Sequence, residues 1–176
     1  MPVPTRSVRR RLLRFAVASA VVAATLVGCG DDGGSGAAGC DEPAQEALDP
    51  QSVQMVLPNA PEPSYETDPP TSGPHLMSPG VKGVQDEPLT RPVQIGVLET
   101  GAVLVQHDGL TPAQREQVEG LAGDMIVVAP NDSLPDGKRV VATAWTWKVT
   151  CPAVDLSALR EFIAQHLTGT SQMGGG

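Results

Sequence analysis

The feature that most constrains the fold is a proline-rich segment that begins about a third of the way along the chain. Seven of the 17 prolines fall between Pro58 and Pro79. Proline lacks a backbone donor and clashes with the preceding helical turn, so it is excluded from helix interiors and central strands. We therefore expect an extended, stiff surface loop here, with the regular structure on either side of it.

The first 28 residues have the composition of an export signal. Five arginines precede an apolar run from Phe15 to Val27, and the tetrapeptide Leu26-Val27-Gly28-Cys29 follows at its end. A basic start, an apolar centre and small residues near the end are typical of a secretory signal. The tetrapeptide resembles the bacterial lipobox, which predicts that residues 1–28 are a lipoprotein signal peptide and that Cys29 is the lipid attachment site.

Two other interpretations of this segment stay open. The apolar run could remain as a transmembrane anchor, although it is shorter than the ~20 apolar residues that a spanning helix needs. The cluster from Arg9 to Leu13 also loosely resembles a twin-arginine export signal.

Removal of the signal would leave a strongly acidic chain. The first 28 residues hold five of the 12 basic side chains and none of the 20 acidic ones. Such a surface repels phosphate backbones and anionic lipid head groups, which argues against nucleic acid as a partner. The lipid would then hold the chain at the cell membrane, on its extracytoplasmic face. A protein of the cell envelope could be its partner.

Composition divides the rest of the chain into three parts. Residues 29–39 are small and polar and predict a flexible tether, and residues 170–176 predict a disordered tail. Residues 40–169 have the size of one domain. Within it, Cys40 and Cys151 form an even pair in an oxidising compartment, for which a disulfide is the first interpretation. A redox-active thiol pair and a pair of metal-binding thiolates are the alternatives.

Apolar runs and capping signals predict the elements of this domain. Strands are expected at residues 52–57, 93–106, 125–129 and 140–149, the second as one or two strands. Thr111-Pro112 predicts a helix that ends at Gly123, and Asp155 predicts another that ends at Gly169. This order indicates an α+β single domain, with a mostly antiparallel sheet, two helices and one disulfide.

The proline-rich segment contains a run of unusual composition, Pro69-Pro70-Thr71-Ser72-Gly73-Pro74-His75. It resembles the signature of domain-of-unknown-function family 3105, found in bacterial secreted and membrane-anchored proteins. A second block of the family is similar to residues 96–103, with Leu98, Glu99 and Gly101. A third is similar to Thr143-Ala144-Trp145. The resemblance extends over about residues 65–167.

The resemblance implies a transition-metal site, because the family has histidines in both of its first two blocks. His75 and Glu99 match these candidate ligands, whereas Gly96 and Thr100 stand where the family has histidines. His107 could complete a copper or zinc site. If the site was lost here, replacing both Gly96 and Thr100 by histidine should restore it.

Each of these histidines also has a structural interpretation. His75 could hydrogen-bond to the backbone of its own loop, and Met77 beside it could instead bind a soft metal such as copper(I). His107 could be a polar strand end. His166 is expected on the solvent side of the last helix, near the negative end of its dipole.

The sequence favours a non-enzymatic binding or envelope-associated protein, with a metal-binding protein as the alternative and a hydrolase as the second alternative. For hydrolysis, Ser72 could pair with His75, or Glu99 could act as a general acid or base. Trp145 and Trp147 are expected on one face of one strand, where they could stack on a ligand or pack against the last helix.

Overall fold

A five-stranded sheet and three helices make up the part of the chain that the computed structural model describes, residues 39–77 and 79–169. The predictions for the signal peptide, for Cys29, for most of the tether and for the tail concern residues outside these ranges. The elements are β1 Ala44–Gln45, α1 Arg91–Glu99, β2 Val103–His107, α2 Pro112–Glu119, β3 Ile126–Pro130, β4 Val140–Ala144, β5 Trp147–Cys151 and α3 Leu156–His166.

The strands lie in the order β1-β5-β4-β2-β3. The β2–β3 pair is parallel, and the other three pairs are antiparallel. Parallel neighbours need a crossover connection, which α2 provides here. The α+β class with a mostly antiparallel sheet is confirmed, but the described chain has three helices where two were predicted.

The two faces of the sheet bury different apolar clusters. Val103 and Val105 share a cluster with Val118 of α2 and Phe162 of α3. Leu104, whose side chain points to the opposite face, belongs to a second cluster that includes residues of α1. The helices α2 and α3 therefore cover one face, and α1 covers part of the other.

The additional helix, α1, replaces the first half of the strand region predicted at residues 93–106. Its sequence resembles that of a buried strand, because apolar residues follow one another without a polar face. A short apolar run of this kind does not distinguish a helix from a strand. Pro92 lies in its first turn, where a proline fits a helix. Burial against the sheet then outweighs the strand preference of its β-branched residues.

Three other boundaries differ from the predictions. Residues 52–57 form no strand. Their β-pairing consists of an isolated bridge between Met55 and His75. The strand predicted at residues 140–149 is a hairpin, because Trp145 and Thr146 form a turn between β4 and β5. The helices α2 and α3 end at Glu119 and His166, before the glycines expected to stop them.

The caps of these two helices are as predicted. The Thr111 hydroxyl accepts a hydrogen bond from the Gln114 backbone, and the Gln114 side chain accepts one from the Thr111 backbone. Asp155 accepts hydrogen bonds from two backbone N–H groups of the first turn of α3. These reciprocal contacts satisfy donors that have no partner within a helix.

The disulfide between Cys40 and Cys151 is confirmed. Cys151 is the last residue of β5 and is completely buried in the cluster under α3. The bond therefore attaches the start of the described chain directly to the sheet.

The proline-rich segment forms neither helix nor named strand, as predicted. Its position is different, because residues 69–75 are buried rather than on the surface. We refer to residues 69–75 as the signature segment.

No helix in the described part of the chain combines the length and the apolar character that crossing a bilayer requires.

Candidate functional site

The signature segment has its polar side chains hydrogen-bonded to the protein. The Ser72 hydroxyl accepts a hydrogen bond from the Asp49 backbone at 2.9 Å. The Thr71 hydroxyl donates to the Glu46 carboxylate at 2.6 Å. Tyr65 donates its hydroxyl proton to the carbonyl of Pro74 at 2.7 Å. Buried polar groups cost free energy unless they are paired, so these contacts are what allow the segment to be buried.

Glu46 collects several of these contacts. One of its oxygens accepts hydrogen bonds from Thr67 and Thr71, and the other lies 2.7 Å from the Lys148 ammonium. Burial raises the pKa of Glu46, but its three hydrogen bonds outweigh burial, and the pKa lies below the usual range for glutamate. Glu46 is therefore charged at neutral pH and holds the signature segment against β5.

His75 is 1 % exposed and lies in this same segment. Its Nδ1 is 3.3 Å from the carbonyl oxygen of Gly73, a contact with the backbone of its own loop. Its backbone is paired on both sides, because the His75 N–H donates to Gln54 and its carbonyl accepts from Val56. Ser72, the candidate nucleophile, is 6 % exposed and its hydroxyl is bonded to Asp49.

The other predicted metal ligands lie on different elements. Glu99 is the last residue of α1, not part of a strand, and His107 is the last residue of β2. Burial lowers the pKa of His107, which favours its neutral form. Within the described ranges, no group of three or more His, Cys, Asp or Glu side chains is arranged to hold a metal ion. A metal site at His75 would thus need ligands of another kind.

Gly96 does not mark an empty ligand position. It lies in α1, against the loop that follows His75, and a Cβ atom there would be 2.3 Å from the carbonyl oxygen of Leu76. The Leu76 N–H also donates to the carbonyl of Pro92 in the same helix. The expectation that histidine at position 96 would restore a site is therefore wrong for this backbone, because the loop and helix touch at that point.

A second group of residues surrounds a cavity of about 350 Å³ at one end of the sheet. We call it the aromatic pocket. It is lined by Gln45, Gly101, Trp145, Thr146, Trp147, Gln165, His166 and Thr168. Trp145 and Thr146 form the β4–β5 turn, His166 ends α3, and Gln45 belongs to the edge strand β1. Elements distant in sequence converge here, so sequence patterns alone could not identify the pocket.

The two tryptophans lie on either side of Thr146 and pack in different directions. Trp147 packs on the cluster under α3, whereas Trp145 packs on the cluster that contains α1 residues. The expectation that they share one face of one strand is wrong, because a turn separates them. Both remain half-buried, with part of each indole lining the cavity.

His166 is packed against aromatic rings rather than on the solvent side of α3. Its ring centroid is 4.6 Å from that of Trp147 and 4.5 Å from that of Phe162. Burial lowers the pKa of His166, so the ring is neutral near pH 7. Its Nε2 atom is buried and has no hydrogen-bond partner. An unpaired buried polar atom is unfavourable for folding, which makes it a candidate contact for a ligand.

Thr146 has a backbone conformation that is rare for its residue type. Its φ of 60° lies in the left-handed region, which β-branched residues avoid. The signature segment holds it there, because the Thr146 N–H donates to the carbonyl of Thr71 at 3.0 Å. Its carbonyl accepts a hydrogen bond from the Glu46 N–H at 2.8 Å. Strained backbone that its surroundings hold in place is a feature of binding sites.

The chain beyond α3 closes another side of the pocket. The N–H groups of Thr168 and Gly169 both lie 3.2 Å from the carbonyl of Gly101. Gly101 belongs to the second family block, Thr71 to the first and Trp145 to the third. All three motifs that carry the resemblance thus meet at or directly beneath this pocket.

Residues 59–174 match the family described as protein of unknown function (DUF3105), which covers most of the chain and all three motifs. No curated protein and no solved structure matches the chain.

Proposed function

We propose that this chain, which belongs to the DUF3105 family of proteins of unknown function, is a lipid-anchored binding domain of the extracytoplasmic face without enzymatic activity. We further propose that its ligand site is the aromatic pocket. The observation that carries this proposal is the His166 ring, which lines the cavity, stacks beside Trp147 and carries an Nε2 atom without a hydrogen-bond partner.

The contrast with the rest of the molecule supports this choice. Ser72 and His75, the residues first considered for catalysis, are buried and hydrogen-bonded to backbone groups. The aromatic pocket instead offers half-exposed indole surface and polar groups on several elements. Binding pockets typically combine apolar walls with a few polar groups that fix orientation.

The tryptophans make the binding test direct. The chain has two tryptophans, and both line the pocket, so intrinsic fluorescence reports on this site alone. Titrating the full chain with a panel of small molecules should give a saturable change in emission with at least one of them. The change should be lost in a Gln165→Trp variant that fills the cavity mouth. The pocket proposal is wrong if the ligands that bind do so equally well in this variant.

The anchor is tested at Cys29. In the Cys29→Ser variant acylation should be blocked, so the chain should be released or should accumulate as the unprocessed precursor. Cell fractionation with an antibody to the folded domain measures this, and Ser64→Ala at an exposed position serves as the control that leaves Cys29 and the disulfide intact. A processed Cys29→Ser protein that still fractionates with membranes would contradict the proposed anchor.

A second candidate function is binding of a soft metal ion such as copper(I). Met55 is the bridge partner of His75, and Met77 follows His75 by two residues. Both methionines are at least half exposed. Thioether and imidazole ligands suit copper(I), and methionine falls outside the His, Cys, Asp and Glu set that forms no metal cluster in the described ranges.

This candidate has a matched control. Replacing Met55 and Met77 together by leucine should abolish stoichiometric copper(I) binding in a competition titration with a chromophoric chelator. Met125→Leu, at a methionine packed on the cluster that contains α1 residues, should leave binding unchanged. Equal copper(I) affinity in the double variant and the control would exclude these ligands.

A further inference from the structure

We propose that the ligand of the aromatic pocket is an uncharged carbohydrate of one to three sugar rings. This inference rests on the proposed function, because it assigns a chemical class to the same site. It is carried by the absence of charged side chains among the described residues that line the pocket, together with the placement of indoles and amides there.

The first step concerns charge. Lysine, arginine, aspartate and glutamate are missing from the described lining of the pocket. A charged ligand that entered would lose water without gaining a partner of opposite charge, which is costly. The surrounding chain is acidic, so it would also repel an anion at long range. These features favour a ligand without net charge.

The second step concerns the aromatic walls. An indole ring provides a flat apolar surface with a polar N–H at its edge. A pyranose ring also has an apolar face, made of C–H groups, and hydroxyl groups around its rim. Trp145 in the turn and Trp147 directly after it are partly exposed and line the cavity. The C–H face of a sugar can therefore stack on an indole while its hydroxyl groups stay available.

The third step concerns the polar groups. Gln45 and Gln165 each carry an amide that can donate and accept hydrogen bonds. Gln165 uses its Nε2 to contact Glu161 at 3.1 Å, which leaves its amide oxygen for a hydroxyl proton. The Nε2 of His166 has no partner in the fold, and a small rotation of the ring would be needed to bring it to a hydroxyl group in the cavity. Sugar hydroxyls are both donors and acceptors, so they match this neutral set.

The fourth step concerns size. The cavity volume of about 350 Å³ is at the lower end of the range of ~300–1,000 Å³ found for ligand pockets. One sugar ring and part of a second fit such a volume, and the open side lets a short chain extend outward. The strained Thr146 turn, held by Thr71 and Glu46, keeps the two indoles in place before the ligand arrives. Less conformational freedom is then lost on binding.

The experiment titrates the full chain, purified in a detergent without a sugar head group, and follows tryptophan fluorescence. The probes are maltotriose, cellotriose and tri-N-acetylchitotriose. Trigalacturonic acid is the charged carbohydrate control, choline is the cationic control and benzyl alcohol is the uncharged aromatic control. We expect a saturable change with at least one neutral trisaccharide and none with the trigalacturonate.

Variants then locate the binding site. Trp145→Phe should weaken trisaccharide binding about three- to tenfold, as expected for the loss of part of one stacking surface. Gln165→Ala is an exposed change that should fold normally and should weaken binding by a similar factor. Gln117→Ala, an exposed glutamine on α2 outside this pocket, is the matched control and should leave affinity unchanged.

The outcomes separate this inference from the proposed function. Binding of choline, benzyl alcohol or the trigalacturonate that depends on Gln165, with none of the neutral trisaccharides, would overturn the carbohydrate assignment and keep the pocket as a binding site. No saturable change with any probe would overturn both. Trisaccharide binding that is unaffected by Trp145→Phe and by Gln165→Ala would place the carbohydrate elsewhere and also overturn the assignment.

Discussion

The signature segment and the aromatic pocket are neighbours, yet they differ in how their polar groups are used. In the signature segment, Ser72, Thr71 and His75 are buried and hydrogen-bonded to protein atoms. In the pocket, the indoles are half exposed and the Nε2 of His166 is without a partner. The difference teaches that the most recognisable motif in this sequence has its polar groups paired within the protein and lies beside the proposed ligand site.

This distinction has an energetic meaning. A satisfied buried network contributes to stability, and its disruption is costly because the remaining partners are left unpaired. A strained turn and an unpartnered atom reduce stability, and natural chains keep such features where binding compensates for them. Changes in the signature segment should therefore lower the free energy of unfolding, whereas changes at the turn should alter binding and can raise stability.

The largest effect is expected for Glu46→Ala. This change leaves the Lys148 ammonium, which is 11 % exposed, without its carboxylate, and it removes an acceptor from Thr67 and Thr71. We expect a loss of about 3 kcal/mol, near the lower end for a broken buried pair. Urea denaturation measures it, and Glu42→Ala at an exposed position is the control. A loss no larger than the control's would show that Glu46 does not hold the segment.

A smaller loss is expected for Gly96→Ala. The added methyl group meets the carbonyl of Leu76 at 2.3 Å, so either α1 or the loop after His75 has to move. Forced overpacking of this kind costs about 2 kcal/mol. Thermal unfolding tests this, with Gly123→Ala as the control, because a Cβ there meets no atom within 4 Å. Equal stability of the two variants would mean that the loop and helix separate easily.

The opposite sign is expected for Thr146→Asn. Asparagine tolerates the left-handed region better than a β-branched residue, so the change should relieve backbone strain and stabilise the fold by about 1 kcal/mol. The same variant should bind the pocket ligand differently, since residue 146 lines the cavity. Denaturation and fluorescence titration measure the two effects. Destabilisation would contradict the view that strain is stored at this turn.

The smallest effect concerns pH. Burial lowers the pKa of both His107 and His166, so the folded state binds protons less readily than the unfolded state. Their contribution to stability is complete above the unfolded pKa of about 6.5 and is lost as pH falls through the lower, folded values. Unfolding free energies measured between pH 7.5 and pH 5 should therefore decrease, and the slope should be shallower in His166→Gln. An identical slope would show that the His166 ring protonates as easily in the fold as outside it.

Local signals in the sequence predicted the elements that depend on local chemistry. Three such features depend only on neighbouring residues, and the structure has all of them: the Thr111 capping box, the Asp155 cap and the buried strand before residue 130. The cysteine count predicted the disulfide.

What the sequence could not predict depends on distant contacts. The helix α1 lacks a polar face because both the sheet and the loop after His75 cover it, and only the tertiary structure shows this. The turn at Thr146 carries neither glycine nor asparagine, so the hairpin had no turn signal. The aromatic pocket unites β1, the hairpin turn and the end of α3. Trp145 and Trp147 were recognised as a place where a ligand could stack, but His166, which packs against Trp147, was assigned to solvent.

The disulfide also determines how mechanical load would enter the domain. A pull on the chain from any point before Cys40 passes through the bond to Cys151, at the end of β5. The two cysteines are 111 residues apart, and the bond closes the chain between them into a loop. A pull between the tether and the chain beyond Cys151 does not stretch this loop, so the short edge strand β1 is not separated from β5 first. For the proposed anchored form, one route from the tether to the proposed ligand site runs through the disulfide and along β5, which begins at Trp147. Tension along this route would reach the proposed ligand site without unfolding the signature segment, which holds the Thr146 turn.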